Sequence, residues 1–193
     1  MTVFVSNGLI ISFSPIYRPE IKTQVTSTQQ LLDGEFTYEN LQKAINSVPF
    51  PVVHIASHGQ FSSIAENTFI LTCNNKVNVK ELDNLLRRRE QEEDTPIELL
   101  VFSACETAAG DDRAALGLAG VAMRAGARST VATLWQVNDE STAVLMTEFY
   151  RELAKPGITK AEALRLAQRT LLHDNRYKFP YYWAPYVLVG NWR

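Results

Sequence analysis

The chain has 193 residues, of which 46% are hydrophobic and 21% charged, and its formal net charge is −2. This length and composition are typical of a single globular domain. No apolar run approaches the roughly 20 residues of a membrane-spanning helix, and the charge argues against a protein built mainly to bind nucleic acid. The N-terminal residues lack the basic start of a signal peptide. We therefore expect a cytoplasmic protein with free thiols and with no membrane or nucleic-acid partner.

The N-terminal part of the sequence predicts a hairpin followed by an irregular segment. Residues 3–13 read as two strands around Asn7-Gly8, a dipeptide that tolerates the positive φ angles of a tight turn. Residues 14–28 are polar and contain two prolines, which favours a loop. We assign residues 1–30 to this segment, which would be a truncated start if the chain is a fragment, and residues 31–193 to the main domain.

Strands and helices alternate along the main domain, which predicts an α/β fold with a mostly parallel sheet covered by helices on both sides. Apolar runs predict strands over residues 52–57, 99–104, 129–135 and 186–190. Capping residues and apolar spacing predict helices that begin after Thr37, after Asn138 or Asp139, and after Thr159, and two more over residues 80–89 and 114–124. A second small hairpin is predicted around Asn74-Asn75. A polar loop is expected over residues 106–113.

Two of the predicted buried strands end in residues that carry reactive chemistry. Residues 99–104 lead to Cys105, and residues 52–57 lead to His58 and Gly59. Open α/β sheets bind their ligands at the carboxyl ends of the strands, so these side chains face each other if the two strands are neighbours. The pattern predicts a cysteine–histidine hydrolase, with the Cys105 thiolate as nucleophile and His58 as the group that moves the proton. The backbone N–H groups of Gly59 and Cys105 are the expected oxyanion donors.

Three pieces of the sequence together resemble one known family. They are residues 54–59 (His-Ile-Ala-Ser-His-Gly), residues 103–107 (Ser-Ala-Cys-Glu-Thr), and a tail that includes residues 117–119, 132–135 and 183–186. In this order they resemble the CHAT domain, a bacterial relative of caspases and separase, over residues 31–190. The resemblance implies a caspase-like, three-layer α/β/α sandwich with a mostly parallel sheet and small β-hairpins. It also implies a His58–Cys105 dyad that hydrolyses peptide bonds in a partner protein, with helical-repeat domains or an activating partner beside it.

The residues that recognise the substrate are harder to predict from the sequence. Asp111 and Asp112 follow the nucleophile and could form an acidic pocket for Lys or Arg, although loop carboxylates more often cap helices or contact solvent. Trp135, at the end of its strand, could line the substrate cleft or belong to the core. We expect no cofactor and no metal, since the cysteines and histidines lack the spacing of metal ligands.

Other interpretations of the sequence stay open beside the peptidase. His54 lies within its strand and is expected to be structural, and Cys73 is expected to be an inert, packed thiol. The domain could act as a non-catalytic, caspase-like scaffold or interaction domain in a bacterial signalling or defence system. It could also be a zymogen that needs activation, or another cysteine hydrolase such as an amidase.

Overall fold

The computed structural model describes residues 8–12, 28–47, 50–61, 67–92, 96–103, 106–107, 120, 123 and 126–193. The strands are β1 (Gly8–Ser12), β2 (Thr28–Leu32), β3 (Val52–Ala56), β4 (Gly59–Phe61), β5 (Phe69–Leu71), β6 (Lys76–Asn78), β7 (Leu99–Phe102), β8 (Glu106–Thr107), β9 (Ser129–Thr133) and β10 (Tyr186–Gly190). The helices are α1 (Tyr38–Ser47), α2 (Val79–Glu92), α3 (Asp139–Leu153), α4 (Lys160–His173) and α5 (Pro180–Trp183), with a short 3₁₀ helix at Asp33–Glu35. No described helix is long and apolar enough to cross a membrane.

A six-stranded sheet with the order β10-β9-β7-β3-β1-β2 forms the centre of the fold. All neighbouring strands are parallel except β9 and β10, which are antiparallel. Every residue of β3, β7 and β9 is buried, as expected for strands of a parallel sheet that is covered on both faces. The predicted α/β class with a mostly parallel sheet is confirmed.

Helices cover both faces of this sheet, and alternate residues of the central strands belong to two different hydrophobic clusters. Val53 and Ile55 of β3 pack with side chains of α1 and α2. Val52 and Ala56 of the same strand pack with side chains of α3 and α4. Successive side chains of a strand point to opposite faces, so β3 joins both halves of the core. The structure therefore has the three layers of an α/β/α sandwich.

Side-chain caps explain where three of the helices begin. Thr37, Asn138 and Thr159 each accept a hydrogen bond from the backbone N–H three residues further along, over 3.2, 3.0 and 3.2 Å. Such a cap satisfies one of the amides that the first helical turn leaves without a partner. The predicted helix starts are confirmed, and Asn138, not Asp139, is the cap of α3. The helix predicted over residues 114–124 lies almost entirely outside the described residues.

The N-terminal strand belongs to the central sheet, which corrects the predicted hairpin. Gly8, expected in the turn, is the first residue of β1, and β1 pairs in parallel with β2 on one edge and β3 on the other. Both edges are occupied, so β1 has no edge left for a hairpin partner. Residues 8–12 and 28–32 are therefore strands of the main sheet. Of the loop predicted over residues 14–28, Thr28 belongs to β2 and residues 14–27 lie outside the described residues.

A second, smaller sheet has the order β6-β5-β4-β8. The predicted hairpin around Asn74-Asn75 is confirmed as the antiparallel pair β5 and β6. Residues 106–107, expected in a loop, instead form β8, which pairs in parallel with β4. The prediction that Cys73 is a packed thiol is wrong, because this residue is exposed at the hairpin.

Candidate active site at the carboxyl ends of β3 and β7

His58 lies just beyond the carboxyl end of β3, in the short turn that leads into β4, and it is exposed. Hydrogen bonds to β5 hold this turn. The Ser57 hydroxyl donates to the Leu71 carbonyl over 2.6 Å, and the Leu71 N–H donates to the His58 carbonyl over 2.7 Å. The backbone is thus fixed while the imidazole remains accessible to a ligand, as a proton-transfer group requires.

The backbone N–H of Gly59 faces away from β5. Gly59 pairs with Ile70, and the bond between Leu71 and His58 marks the adjacent pair as hydrogen-bonded. Hydrogen-bonded and non-hydrogen-bonded pairs alternate in an antiparallel ladder, so the amide of Gly59 points to the opposite edge of β4. That edge is the one on which β8 lies.

Ala104 and Cys105 lie outside the described residues, but Ser103 before them and Glu106 after them are described. Ser103, two residues earlier, donates its N–H to the Ile55 carbonyl of β3 over 3.1 Å. Glu106, the next residue, pairs with Gln60 of β4. Ser103 and Glu106 thus lie beside the two strands that flank His58.

His54 is fully buried and lies between two hydroxyl groups. Its Nε2 is 2.7 Å from Ser103 Oγ, and its Nδ1 is 3.1 Å from the Tyr150 hydroxyl on α3. Burial lowers the pKa of His54 to about 3, so the ring is neutral. Burial also raises the pKa of Tyr150 well above its usual range, which keeps the phenol protonated. The buried position confirms the structural histidine that the sequence predicts.

Ser103 and His54 have the spacing of a nucleophile and its base, but their surroundings do not suit that chemistry. His54 is 0% exposed and Ser103 only 8%, so a substrate has little access to either group. A ring with so low a pKa does not accept a proton near neutral pH. The pair therefore belongs to the core and is not a nucleophile with its base.

The sequence analysis missed Ser103 and Tyr150 as residues near the site. A histidine in an apolar strand signals that polar partners must exist, because buried polar groups are nearly always hydrogen-bonded. Their identities depend on packing between α3 and β3, elements 96 positions apart at this contact. No local pattern in the sequence encodes such a contact.

Trp135 lies beyond the carboxyl end of β9 and is half-buried. Its indole N–H donates to the Tyr181 carbonyl of α5 over 3.1 Å, which attaches α5 to this end of the sheet. In the sheet, β7 lies between β9 and β3, so Trp135 and His58 flank the strand that leads to Cys105. The predicted specificity residues Asp111 and Asp112 lie outside the described residues.

Comparison with known proteins identifies the family of this domain. A search among curated proteins finds no match. The family model of the CHAT domain matches residues 13–191, which include the central sheet from β2 to β10, the turn that carries His58 and the strand that leads to Cys105. The chain therefore belongs to the CHAT domain family, a family of caspase-like cysteine peptidases.

Proposed function

We propose that this protein is a cysteine endopeptidase of caspase-like type, in which His58 and Cys105 form the catalytic dyad and the substrate is a partner protein. Membership of the CHAT family supports a caspase-like peptidase in general terms. The assignment of the dyad rests on the chain's own residues.

The observation that carries the proposal is the pairing on both sides of Cys105. Ser103 is hydrogen-bonded to Ile55, three residues before His58, and Glu106 pairs with Gln60, two residues after it. In the sequence only Ala104 separates the nucleophile candidate from Ser103, and Glu106 follows it directly, so the nearest described residue on each side is held beside the His58 turn. This arrangement supports a thiol and an imidazole at one edge of the sheet, where α/β folds bind their ligands.

The chemistry requires one nucleophile, one proton carrier and donors for the oxyanion. The Cys105 thiolate attacks the peptide carbonyl carbon and forms a C–S bond, and the carbonyl oxygen becomes an oxyanion. As the C–N bond breaks, His58 gives its proton to the leaving amine. Water then attacks the thioester carbon while His58 accepts a proton from it. The C–S bond breaks, the carboxylic acid leaves, and the Cys105 thiolate and the protonated His58 are restored.

The Gly59 amide is the proposed oxyanion donor, together with the amide of Cys105. The Gly59 N–H points away from β5, toward the edge of β4 on which β8 lies, and β8 begins at Glu106, the residue after Cys105 in the sequence. Glycine adds no side chain that would hinder the approach of a substrate. The loss of one oxyanion donor typically costs about 100- to 1,000-fold in rate.

The test is cleavage of a panel of fluorogenic peptides with Arg, Lys or Asp at the cleaved position. Wild-type protein is expected to cleave at least one class, and Cys105→Ala and His58→Ala are each expected to abolish cleavage while the circular dichroism spectrum is retained. Cys73→Ala and His173→Ala are matched controls, since both residues are exposed, and they are expected to keep wild-type activity.

Two results would contradict the proposal. Normal cleavage by either Cys105→Ala or His58→Ala would show that the dyad is wrong. A folded wild-type protein that cleaves no peptide of the panel would favour the scaffold interpretation.

A further inference from the structure

A buried chain of hydrogen-bonding groups leads from α3 to the start of the segment that carries Cys105. It consists of Tyr150, His54 and Ser103, with separations of 3.1 Å from the Tyr150 hydroxyl to Nδ1 and 2.7 Å from Nε2 to Ser103 Oγ. The three residues are 1%, 0% and 8% exposed. Tyr150 lies on α3, His54 lies on β3, and Ser103 follows the last residue of β7. We propose that this chain, here called the Tyr150–His54–Ser103 relay, is a positioning device that sets the reactivity of Cys105. The proposal rests on the proposed peptidase function and adds to it residues that never touch the substrate.

The relay satisfies both nitrogens of a neutral imidazole. Such a ring has one donor and one acceptor, and each nitrogen has one hydroxyl beside it. Either direction of donation along the relay pairs both nitrogens. A satisfied, fully buried ring is rigid, and a rigid ring is a suitable fixed point for Ser103.

Ser103 is held from two directions. Its side chain meets His54, and its N–H donates to the Ile55 carbonyl over 3.1 Å. Cys105 follows after only one intervening residue, and Glu106 is then fixed by its pairing with Gln60. A displacement of Ser103 therefore acts directly on the short connection that contains the nucleophile.

A purely structural network would affect the stability of the whole domain and nothing specific to Cys105. Positioning would instead change the reactivity of this one thiol and lower kcat while KM stays nearly constant, because misplaced reacting groups slow the chemical step. Cys73 provides an internal reference, because it is exposed in the β5–β6 hairpin of the same molecule. The chain contains no other cysteine besides Cys73 and Cys105.

Four substitutions separate the parts of the relay. Ser103→Ala and Tyr150→Phe each remove one hydroxyl. His54→Gln places an amide nitrogen near the position of Nε2 and keeps a donor for Ser103, whereas His54→Asn reaches only the position of Nδ1. Tyr186→Phe is the matched control, since it removes a buried hydroxyl that hydrogen-bonds Thr142 on α3 over 2.6 Å, outside the relay.

The experiment measures alkylation of both cysteines by iodoacetamide at pH 6.5 in the full chain, with peptide-resolved mass spectrometry, beside kcat and KM for a cleaved peptide. An unperturbed thiol is only about 1% thiolate at this pH, so in wild-type protein Cys105 is expected to react faster than Cys73. Ser103→Ala and His54→Asn are expected to lower the Cys105 rate and kcat by about 10- to 100-fold, with KM and the Cys73 rate unchanged. His54→Gln is expected to recover most of the loss, Tyr150→Phe to show a smaller loss, and Tyr186→Phe to match wild type.

The outcomes separate the two proposals. If wild-type Cys105 reacts no faster than Cys73, the thiol is not activated and the proposed function fails together with the relay. If wild-type Cys105 is activated but Ser103→Ala and His54→Asn leave its rate unchanged, the relay is refuted and the dyad stands. If His54→Asn does not fold, Ser103→Ala decides by the same criterion, and an equal loss in His54→Gln and His54→Asn also refutes the relay.

Discussion

Acidification to pH 5 is expected to destabilise the protein through His54. Burial lowers the pKa of His54 to about 3, whereas an imidazole in the unfolded chain titrates near 6.5. The folded state thus binds fewer protons than the unfolded state between these two values. The stability that depends on a neutral His54 is fully present above pH 6.5 and is lost as the pH falls toward 3.

The size of this loss in the free energy of unfolding follows from the two pKa values. At pH 5 the unfolded ring is almost fully protonated and the folded ring almost fully neutral, so His54 alone lowers the free energy of unfolding by about 2 kcal/mol relative to pH 8. This figure depends mainly on the unfolded pKa, because the folded ring lies far from its titration at pH 5. Tyr150, the titratable group that hydrogen-bonds His54, stays protonated across this range because burial raises its pKa.

Urea unfolding at pH 8 and pH 5, for wild type and His54→Gln, measures this contribution. Glutamine does not titrate, so the variant is expected to lose about 2 kcal/mol less than wild type between the two pH values. The difference between the two proteins removes the contributions that other groups make to the pH dependence of stability. Asp174 is one such group, since a hydrogen bond from Arg176 lowers its pKa. Equal losses in the two proteins, or an NMR titration in which the His54 ring protonates near pH 6.5, would refute the reasoning.

Two further predictions concern stability and are measured by urea unfolding at pH 8. Asn138→Ala removes the cap that accepts the Ser141 N–H and is expected to lower the free energy of unfolding by about 1 kcal/mol, and an unchanged value would contradict the role of the cap. Gly190→Ala would place a methyl group 2.5 Å from the Arg128 carbonyl oxygen at a φ of +97°, so we expect a loss of about 2 kcal/mol or more. Gly34→Ala is the control, because a methyl group there meets nothing within 4 Å, and it is expected to change the free energy of unfolding by less than about 0.5 kcal/mol. Similar losses for the two glycine variants would contradict the strain expected at Gly190.

The elements that the sequence predicted well are those with a strong local signal. β3, β7 and β9 are continuous apolar runs, and all their residues are buried. The caps at Thr37 and Thr159 give equally local signals, since a hydroxyl before an amphipathic run satisfies the free amides of the first turn. The alternation of these elements led to the α/β sandwich.

The predictions that failed concern segments whose structure is decided by pairing with distant parts of the chain. Asn7-Gly8 is a strong local turn signal, yet β1 pairs with β2 and β3, because the ladders on both edges of a strand outweigh a two-residue preference. β8 has only two residues and exists through its pairing with β4, so its sequence carries no strand pattern of its own.

The candidate site shows the same division between local and distant information. The position of His58 and Gly59 at the carboxyl end of a strand could be predicted, because both residues follow one apolar run. The hydroxyls that hold His54 come from Ser103 and Tyr150, and their contact with the ring depends on how α3 and β7 pack around β3. Residues far apart in sequence meet there through tertiary packing, which a single sequence does not reveal.

Covalent labelling of the active site is the sharpest test of the His58–Cys105 dyad. The protein is treated with peptide electrophiles that carry Arg, Lys or Asp at the position before the reactive group, and the adduct is located by mass spectrometry. We expect one adduct on Cys105 in wild-type protein, much slower labelling in His58→Ala, and none in Cys105→Ala. Labelling that persists in Cys105→Ala, or that occurs in wild type only at the exposed Cys73, would contradict the assignment of the catalytic dyad.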